Sequence, residues 1–231
     1  MHVPDGFLDA PTSVTTGAVA VVAVGLALRG ARRELDDRTA PMAGLVATFV
    51  FATQMLNFPV GAGTSGHLLG GALAAVLVGP WTAMLCVSVV LIVQSLLFAD
   101  GGITALGTNI TLMAVIGVVV GWLVFRGIST LVPKRVAFVA PAAAVAALLS
   151  VPAAALAFVG LYALGGTAPI PLDTLTTAML GWHTLIGIGE AMITGLVVGS
   201  VTAVRPDLVY GARRTLKARE LEIRLPQGAT P

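Results

Sequence analysis

The chain has 231 residues, of which 57% are hydrophobic and only 10% are charged, and its formal net charge is +2. A soluble domain carries about 25% charged residues and about 45–50% apolar ones. A particle of this size could not bury so much apolar surface in water, so the composition excludes a soluble enzyme, a secreted domain or a disordered segment. It predicts an integral membrane protein, and the small positive excess does not indicate nucleic-acid binding.

The first thirty residues lack the pattern of a cleavable signal peptide. No basic residue precedes the first apolar stretch, and the first arginines, Arg29, Arg32 and Arg33, follow it. Because a signal peptide begins with a basic segment, we expect the chain to keep its own amino terminus.

Seven apolar segments approach the roughly 20 residues that a helix needs to cross a bilayer. They are predicted at residues 12–29, 41–57, 65–79, 80–98, 103–125, 137–163 and 178–203. Segments three and four are separated only by Gly79-Pro80, and a tight turn is expected there because proline is tolerated at a helix start and disrupts a helix interior. The sequence therefore predicts an all-α polytopic membrane bundle over residues 1–204, followed by a basic tail over residues 205–231.

The lysines and arginines fall on one side of this predicted bundle. They occur between segments one and two, between five and six, and after seven, whereas the opposite side carries Asp5, Asp9, Asp100 and Asp173. Basic loops favour the cytoplasm, so the amino terminus is predicted outside and the carboxyl terminus inside. The basic tail is expected to be a cytoplasmic helix near anionic lipid headgroups.

All three histidines, His2, His67 and His183, fall on the predicted outer side. Imidazole suits zinc, copper, nickel and related ions. A free amine on Met1, the His2 backbone nitrogen and the His2 imidazole can bind one metal ion together through fused five- and six-membered chelate rings. Such in-plane nitrogen donors favour square-planar Ni²⁺ or Cu²⁺, and His67 is the candidate for the fourth donor. The alternative is that His2 is simply part of a polar leader.

Two further stretches contribute candidates for positioning a ligand or lining its path. Asn57 and Ser65 lie in an uncharged, glycine-rich loop before the third segment, where Thr64 or Ser65 is expected to cap the helix. His183 and Glu190 lie two turns apart on one helix face. An ionisable group inside a membrane helix is a functional candidate. Glu190 is predicted to neutralise a cation, orient a ligand or pair with a partner subunit, unless it is a hydrogen-bonded structural carboxylate.

The first eight residues, Met1-His2-Val3-Pro4-Asp5-Gly6-Phe7-Leu8, resemble the amino-terminal signature of the CbiM/NikM proteins. Further matches lie at residues 57–60, 63–68, 79–81, 100–107 and 183–190. The resemblance spans nearly the whole bundle. CbiM/NikM proteins are the substrate-binding membrane components of energy-coupling factor transporters for cobalt and nickel.

The resemblance implies a seven-helix fold whose amino-terminal loop, residues 1–11, inserts into the protein. It implies a transported Co²⁺ or Ni²⁺ ion held by the Met1 amine, the His2 amide nitrogen and imidazole, and the His67 imidazole, without a prosthetic group. The form of residues 4–8 is similar to the cobalt branch, which is often encoded with cobalamin synthesis. Segment five departs from the family pattern at Thr111, and we therefore leave it outside the predicted site.

The resemblance also implies a prokaryotic cell-membrane protein that works with a transmembrane coupling component and cytoplasmic ATPase subunits. The need for a small auxiliary membrane subunit is left open. The chain has no nucleotide-binding motif of its own, so it is predicted to be a transport subunit rather than an enzyme. The alternative is a stand-alone ion-coupled secondary transporter or channel, for which Glu190 would be the only carboxylate well inside a helix. A membrane metalloprotease would need a His-Glu-x-x-His motif, and the sequence contains none.

Overall fold

The computed structural model describes residues 2–37, 39–61 and 64–216, and within them the chain is a bundle of helices. The helices are α1 (Ala10–Ala31), α2 (Ala40–Gln54), α3 (Gly71–Val78), α4 (Pro80–Leu97), α5 (Leu106–Leu131), α6 (Val139–Gly165) and α7 (Leu172–Val204). A short antiparallel hairpin of β1 (Phe58–Gly61) and β2 (Thr64–Gly66) joins α2 to α3, and 3₁₀ turns occur at Val136–Phe138, Pro206–Leu208 and Tyr210–Ala212. The predicted tail beyond residue 216 lies outside the described residues.

Five helices in the described part are long and apolar enough to cross a bilayer, namely α1, α4, α5, α6 with its preceding turn, and α7. Helix α2 has 15 residues and α3 has 8. At 1.5 Å per residue these two are about 22 and about 12 Å long, whereas the hydrocarbon core of a bilayer is about 30 Å thick. The all-α multi-pass membrane fold is confirmed. The side of the membrane that each end faces stays a prediction.

The third predicted segment, residues 65–79, is wrong in its first half. The backbone from His67 to Gly70 is not helical, and Gly70 adopts a φ of 73° immediately before α3 begins. This left-handed conformation suits glycine because it has no side chain. Neither Thr64 nor Ser65 caps the helix, since both lie in β2. The predicted break after this segment is confirmed, because α3 ends one residue before Gly79 and α4 begins one residue after it.

Polar side chains of α2 and α7 supply hydrogen-bond partners to the backbone of the non-helical stretch before α3. Glu190 accepts hydrogen bonds from the amides of Leu69 at 2.7 Å and Gly70 at 2.9 Å. Gln54 donates to the Leu69 carbonyl at 2.7 Å. Irregular backbone inside a membrane protein is tolerated where the protein itself supplies its hydrogen bonds. These contacts therefore allow His67 to sit in a buried loop rather than on a helix.

A second buried carboxylate fixes the start of α4. Glu34, in the loop between α1 and α2, is 3% exposed and accepts hydrogen bonds from the Trp81 amide, the Thr82 amide and the Thr82 hydroxyl. The first amides of a helix have no partner within it, and the helix dipole favours negative charge there. Burial raises the pKa of Glu34, and these hydrogen bonds oppose the rise.

Helix α4 separates two chemically different ends of the bundle. Its first turn contacts Glu34, and Arg213 donates to the Glu34 carbonyl at 3.1 Å. Just beyond its last turn, Asp100 lies 3.0 Å from the His2 ring. Its 18 residues span about 27 Å. We call the end near Glu34 and Arg213 the basic end, and the end near Asp100 and His2 the histidine end.

Candidate metal-binding site

The amino-terminal segment, residues 2–9, is held between two loops at the histidine end. Val3 donates its amide hydrogen to Asn109 Oδ1 at 2.7 Å, and its carbonyl accepts hydrogen bonds from Asn109 Nδ2 at 3.1 Å and from the Gly102 amide at 3.0 Å. On the other side, the Phe7 carbonyl accepts a hydrogen bond from the Thr167 amide at 3.1 Å. Val3 and Phe7 are buried. The segment is thus part of the core.

Asp5 fastens this segment to the loop that follows α4. Its carboxylate accepts hydrogen bonds from the amides of Ile103, Thr104 and Ala105 and from the Thr104 hydroxyl, at 2.5 to 3.3 Å. The hydrogen bond from the Thr104 hydroxyl lowers the pKa of Asp5. The carboxylate therefore stays charged and organises the loop around the amino-terminal segment.

Two glycines let this loop approach the segment closely. Gly101 adopts a φ of 88°, and a Cβ atom there would lie 3.0 Å from His2 Cδ2. A Cβ atom on Gly102 would collide with the backbone nitrogen and the carboxylate of Asp5. Both positions require glycine, the first for its backbone conformation as well as for space.

His2 and His67 stack against each other beneath this loop. Their ring centroids are 4.4 Å apart with an interplanar angle of 29°, and their side chains are buried. The Nδ1 atom of His2 is 3.0 Å from Asp100 Oδ1, and Asn57 donates to Asp100 Oδ2 at 2.9 Å. Burial lowers the pKa of His2, and the nearby Asp100 carboxylate opposes this. The neutral imidazole that burial favours is the form that binds a metal ion.

The hydrogen bonds of His67 define which of its nitrogens is available. Its Nδ1 lies 2.8 Å from the Leu68 carbonyl, which can only accept, so Nδ1 carries the proton and donates. Among the described residues, Nε2 of His67 and Nε2 of His2 have no hydrogen-bond partner although both are buried. Buried polar atoms rarely stay unpaired. A free lone pair on a fixed imidazole is suited to bind a metal ion.

His183 repeats this arrangement on α7. Its Nδ1 donates to the Met179 carbonyl at 2.8 Å, and its buried Nε2 has no partner within the described chain. It is close enough to His67 to interact electrostatically. The prediction placed His183 at the start of segment seven, but α7 begins at Leu172, so the residue lies about three turns inside the helix. His183 and Glu190 lie on one buried face of α7, as predicted.

The structure relates the remaining candidates to this site in different ways. Asn57 reaches His2 through Asp100. Ser65 lies in β2, two residues before His67. Met1 is outside the described residues. Within 2–37, 39–61 and 64–216, no three side chains of His, Cys, Asp or Glu form a cluster that could hold a metal ion.

Sequence reasoning missed one positioning residue and underestimated two others. Segment five lies outside the predicted site, yet its Asn109 bonds the backbone of Val3. Thr111 bonds the Thr16 carbonyl of α1. Asp5 and Asp100 were interpreted only as markers of the outer side. A sequence signal for a larger role of Asp5 and Asp100 was available, because both lie in stretches that resemble the family pattern.

The chain is similar to known metal transport proteins. A family model, CbiM, described as the cobalt uptake substrate-specific transmembrane region, matches residues 2–208. A fused nickel transport protein NikMN of Rhodobacter capsulatus is 35% identical over 241 residues, covering 99% of this chain and 69% of that protein. A cobalt transport protein CbiM of Sorangium cellulosum is 39% identical over 129 residues, covering 54% of this chain and 57% of that protein.

A solved structure shares the fold. The crystal structure of a truncated transition metal transporter superposes with a TM-score of 0.81 at 33% sequence identity, covering 88% of this chain and 99% of that chain. The helical arrangement of the bundle is therefore that of a metal-transporting membrane protein.

Proposed function

This chain belongs to the CbiM family of transmembrane proteins for cobalt uptake, and from that premise we propose that it captures a divalent cobalt or nickel ion at the histidine end and delivers it for uptake. The observation that carries the proposal is the buried stack of His2 on His67, in which Nε2 of His67 lacks a hydrogen-bond partner among the described residues. The ion is the transported substrate.

Four nitrogen donors are proposed for the ion. They are the terminal amine of Met1, the backbone nitrogen and imidazole of His2, and the His67 imidazole, whose Nε2 is the free atom. The chelate ring on His2 uses Nδ1, which faces Asp100 in this structure. The ion would therefore replace Asp100 as the partner of Nδ1, and the carboxylate would remain nearby as negative charge that favours a cation. A four-nitrogen set suits Ni²⁺ and Co²⁺.

Uptake is proposed to use ATP hydrolysed by separate subunits. The chain would join a transmembrane coupling component and cytoplasmic ATPases, with or without a small auxiliary membrane subunit, and the imported cobalt would supply cobalamin synthesis. The name of the Rhodobacter capsulatus relative, a fused nickel transport protein, supports the idea that such proteins act with a second transport component. The resemblance of residues 4–8 to the cobalt branch supports Co²⁺ as the substrate.

The donor set is tested by Ni²⁺ and Co²⁺ titration of the purified protein with calorimetry and absorption spectroscopy. Acetylation of the Met1 amine removes that nitrogen as a donor, and His67→Ala removes the fourth donor. Both should weaken binding and abolish the absorption of square-planar Ni²⁺. Gly25→Ala on α1 is the control, since the added methyl group meets open space and should leave that absorption in place. Unchanged Ni²⁺ binding by the chain with an acetylated amine would refute the chelate.

A stand-alone transporter or channel is the competing function. Both oxygens of the Glu190 carboxylate are occupied by the amides of Leu69 and Gly70, which leaves it poorly suited to relay protons. Vesicles that contain only the purified chain should therefore not accumulate Co²⁺ under an ion gradient. Gradient-driven accumulation without ATPase subunits would favour the competing function.

A further inference from the structure

A cavity of about 660 Å³ opens at the basic end of the bundle, away from the histidines. Its walls come from the loop between α1 and α2, from the second half of α5 with the residues that follow, and from the turns after α7. Five cationic side chains line it: Arg33, Arg126, Lys134, Arg213 and Arg214. Among the described residues, no Asp or Glu lines this cavity, which we call the basic cleft.

Little of this positive charge is neutralised within the described chain. Arg213 lies 3.7 Å from Asp36 Oδ2 and donates to the Glu34 carbonyl. None of the other four cations forms an ion pair with a described residue. Since like charges repel in a shared cavity, an anion that enters the basic cleft would stabilise it.

Aromatic rings fix the orientation of two of the guanidinium groups. Arg126 lies over the Trp122 ring at 5.9 Å from its centroid, and Arg213 lies over the Tyr210 ring at 5.0 Å. The two rings are in contact, with centroids 5.6 Å apart. A guanidinium that stacks on a ring keeps its N–H edge free for a planar or tetrahedral oxyanion, and arginine is well suited to bind phosphate.

The surroundings of the cleft favour a lipid phosphate over a soluble one. Trp122 and Arg126 are on α5, a helix apolar enough to span the bilayer, and Leu123 on the same helix is 62% exposed. Leu123 is one turn closer to the middle of α5 than Arg126, so an acyl chain can lie along it while the headgroup enters the cleft. Tryptophan and tyrosine favour the depth of lipid headgroups in a membrane.

We propose that the basic cleft binds the phosphate headgroup of an anionic phospholipid, of the phosphatidylglycerol class, as a defined site. The volume lies within the roughly 300–1,000 Å³ of small-molecule sites. Basic pockets between membrane helices bind anionic headgroups by this mechanism. The site is independent of the metal proposed at the histidine end, because about 27 Å of α4 separates the two ends.

Fluorescence quenching of Trp122 tests the site directly. The chain has three tryptophans, so Trp81→Phe and Trp182→Phe leave Trp122 alone. The protein is placed in phosphatidylcholine bilayers that contain either brominated phosphatidylglycerol or phosphatidylcholine with the same brominated chains. We expect phosphatidylglycerol to quench Trp122 at lower mole fractions than phosphatidylcholine. Circular dichroism and a single elution peak confirm that each variant is folded.

Two double variants separate a defined site from general surface charge. Arg33→Gln with Arg214→Gln removes two cleft cations that do not stack on Trp122 and should lower the preference for phosphatidylglycerol by roughly fivefold per charge. Arg32→Gln with Arg135→Gln removes the same charge outside the cleft, and the preference should be unchanged.

Three outcomes would overturn the proposal. Equal quenching by the two lipids would mean that the cleft does not select phosphatidylglycerol and would favour an acidic protein partner instead. An equal loss in both double variants would mean diffuse attraction to the membrane surface. Relief of quenching by inorganic phosphate, but not by chloride at matched ionic strength, would make the cleft a site for a free anion.

Discussion

Replacing Glu190 with alanine should weaken metal binding at the histidine end through the backbone next to His67. The substitution leaves the amides of Leu69 and Gly70 without the acceptors that now lie at 2.7 and 2.9 Å. Each buried amide without a partner costs about 1–3 kcal/mol, so the total is about 2–6 kcal/mol. Because these amides lie two and three residues after His67, the imidazole loses its fixed position.

The expected loss of Ni²⁺ affinity is about 10- to 100-fold, which is typical of residues that orient a metal ligand without touching the metal. Glu190→Gln should fall between alanine and the native residue, since its amide oxygen can accept one of the two hydrogen bonds. Isothermal titration with Ni²⁺ measures the affinity, and thermal unfolding in the same detergent measures the stability.

Glu34→Ala is the matched control for this prediction. Glu34 is also a buried carboxylate that accepts backbone hydrogen bonds, but its partners Trp81 and Thr82 are at the basic end. Its loss should lower the unfolding temperature while leaving Ni²⁺ affinity within about twofold of the native protein, because no metal ligand follows these amides. If Glu190→Ala and Glu34→Ala weakened Ni²⁺ binding equally, the effect would be general destabilisation and the positioning role would be refuted.

Two other substitutions test how the amino-terminal segment is held. Gly102→Ala should lower Ni²⁺ affinity at least tenfold in the same titration, because the new Cβ would collide with the Asp5 backbone, whereas Gly25→Ala on α1 meets open space and should leave affinity unchanged. Asn109→Ala should cost about 1–3 kcal/mol, or roughly 5- to 150-fold in Ni²⁺ affinity, because the Val3 amide loses its acceptor. Native affinity in Asn109→Ala would mean that the segment inserts without this contact.

The sequence was sufficient to locate most of the helices because apolar length is a strong signal in a membrane protein. It also located the break before Pro80, since proline cannot continue the preceding helix. It could not show that residues 67–70 leave the helical conformation, because their composition is as apolar as that of the helix that follows. The decisive hydrogen bonds come from Gln54 and Glu190, which are 15 and 121 residues away from Leu69.

The aspartates at the histidine end illustrate a second limit. Their positions indicated a side of the membrane, but the role of a carboxylate depends on which donors surround it. Asp5 meets three consecutive amides only because the loop at Gly101 and Gly102 closes over the amino-terminal segment. The closure depends on tertiary contacts, and in the sequence it is marked only by the two glycines that make it sterically possible.

Two buried glutamates fix the ends of a helix that is too short to span the bilayer, and only Glu190 also bonds the backbone next to a proposed metal ligand. At the start of α3, Glu190 bonds the backbone of Gly70, which has a positive φ. At the end of α3, Glu34 packs against Gly79, which also has a positive φ. Each carboxylate also lies at the start of a helix, α3 or α4, where the helix dipole favours negative charge. Helix α3 is therefore fixed at both ends by side chains from other parts of the bundle. Because Glu190 bonds the backbone two and three residues after His67, the position of His67 is determined by the whole bundle and not by the local loop.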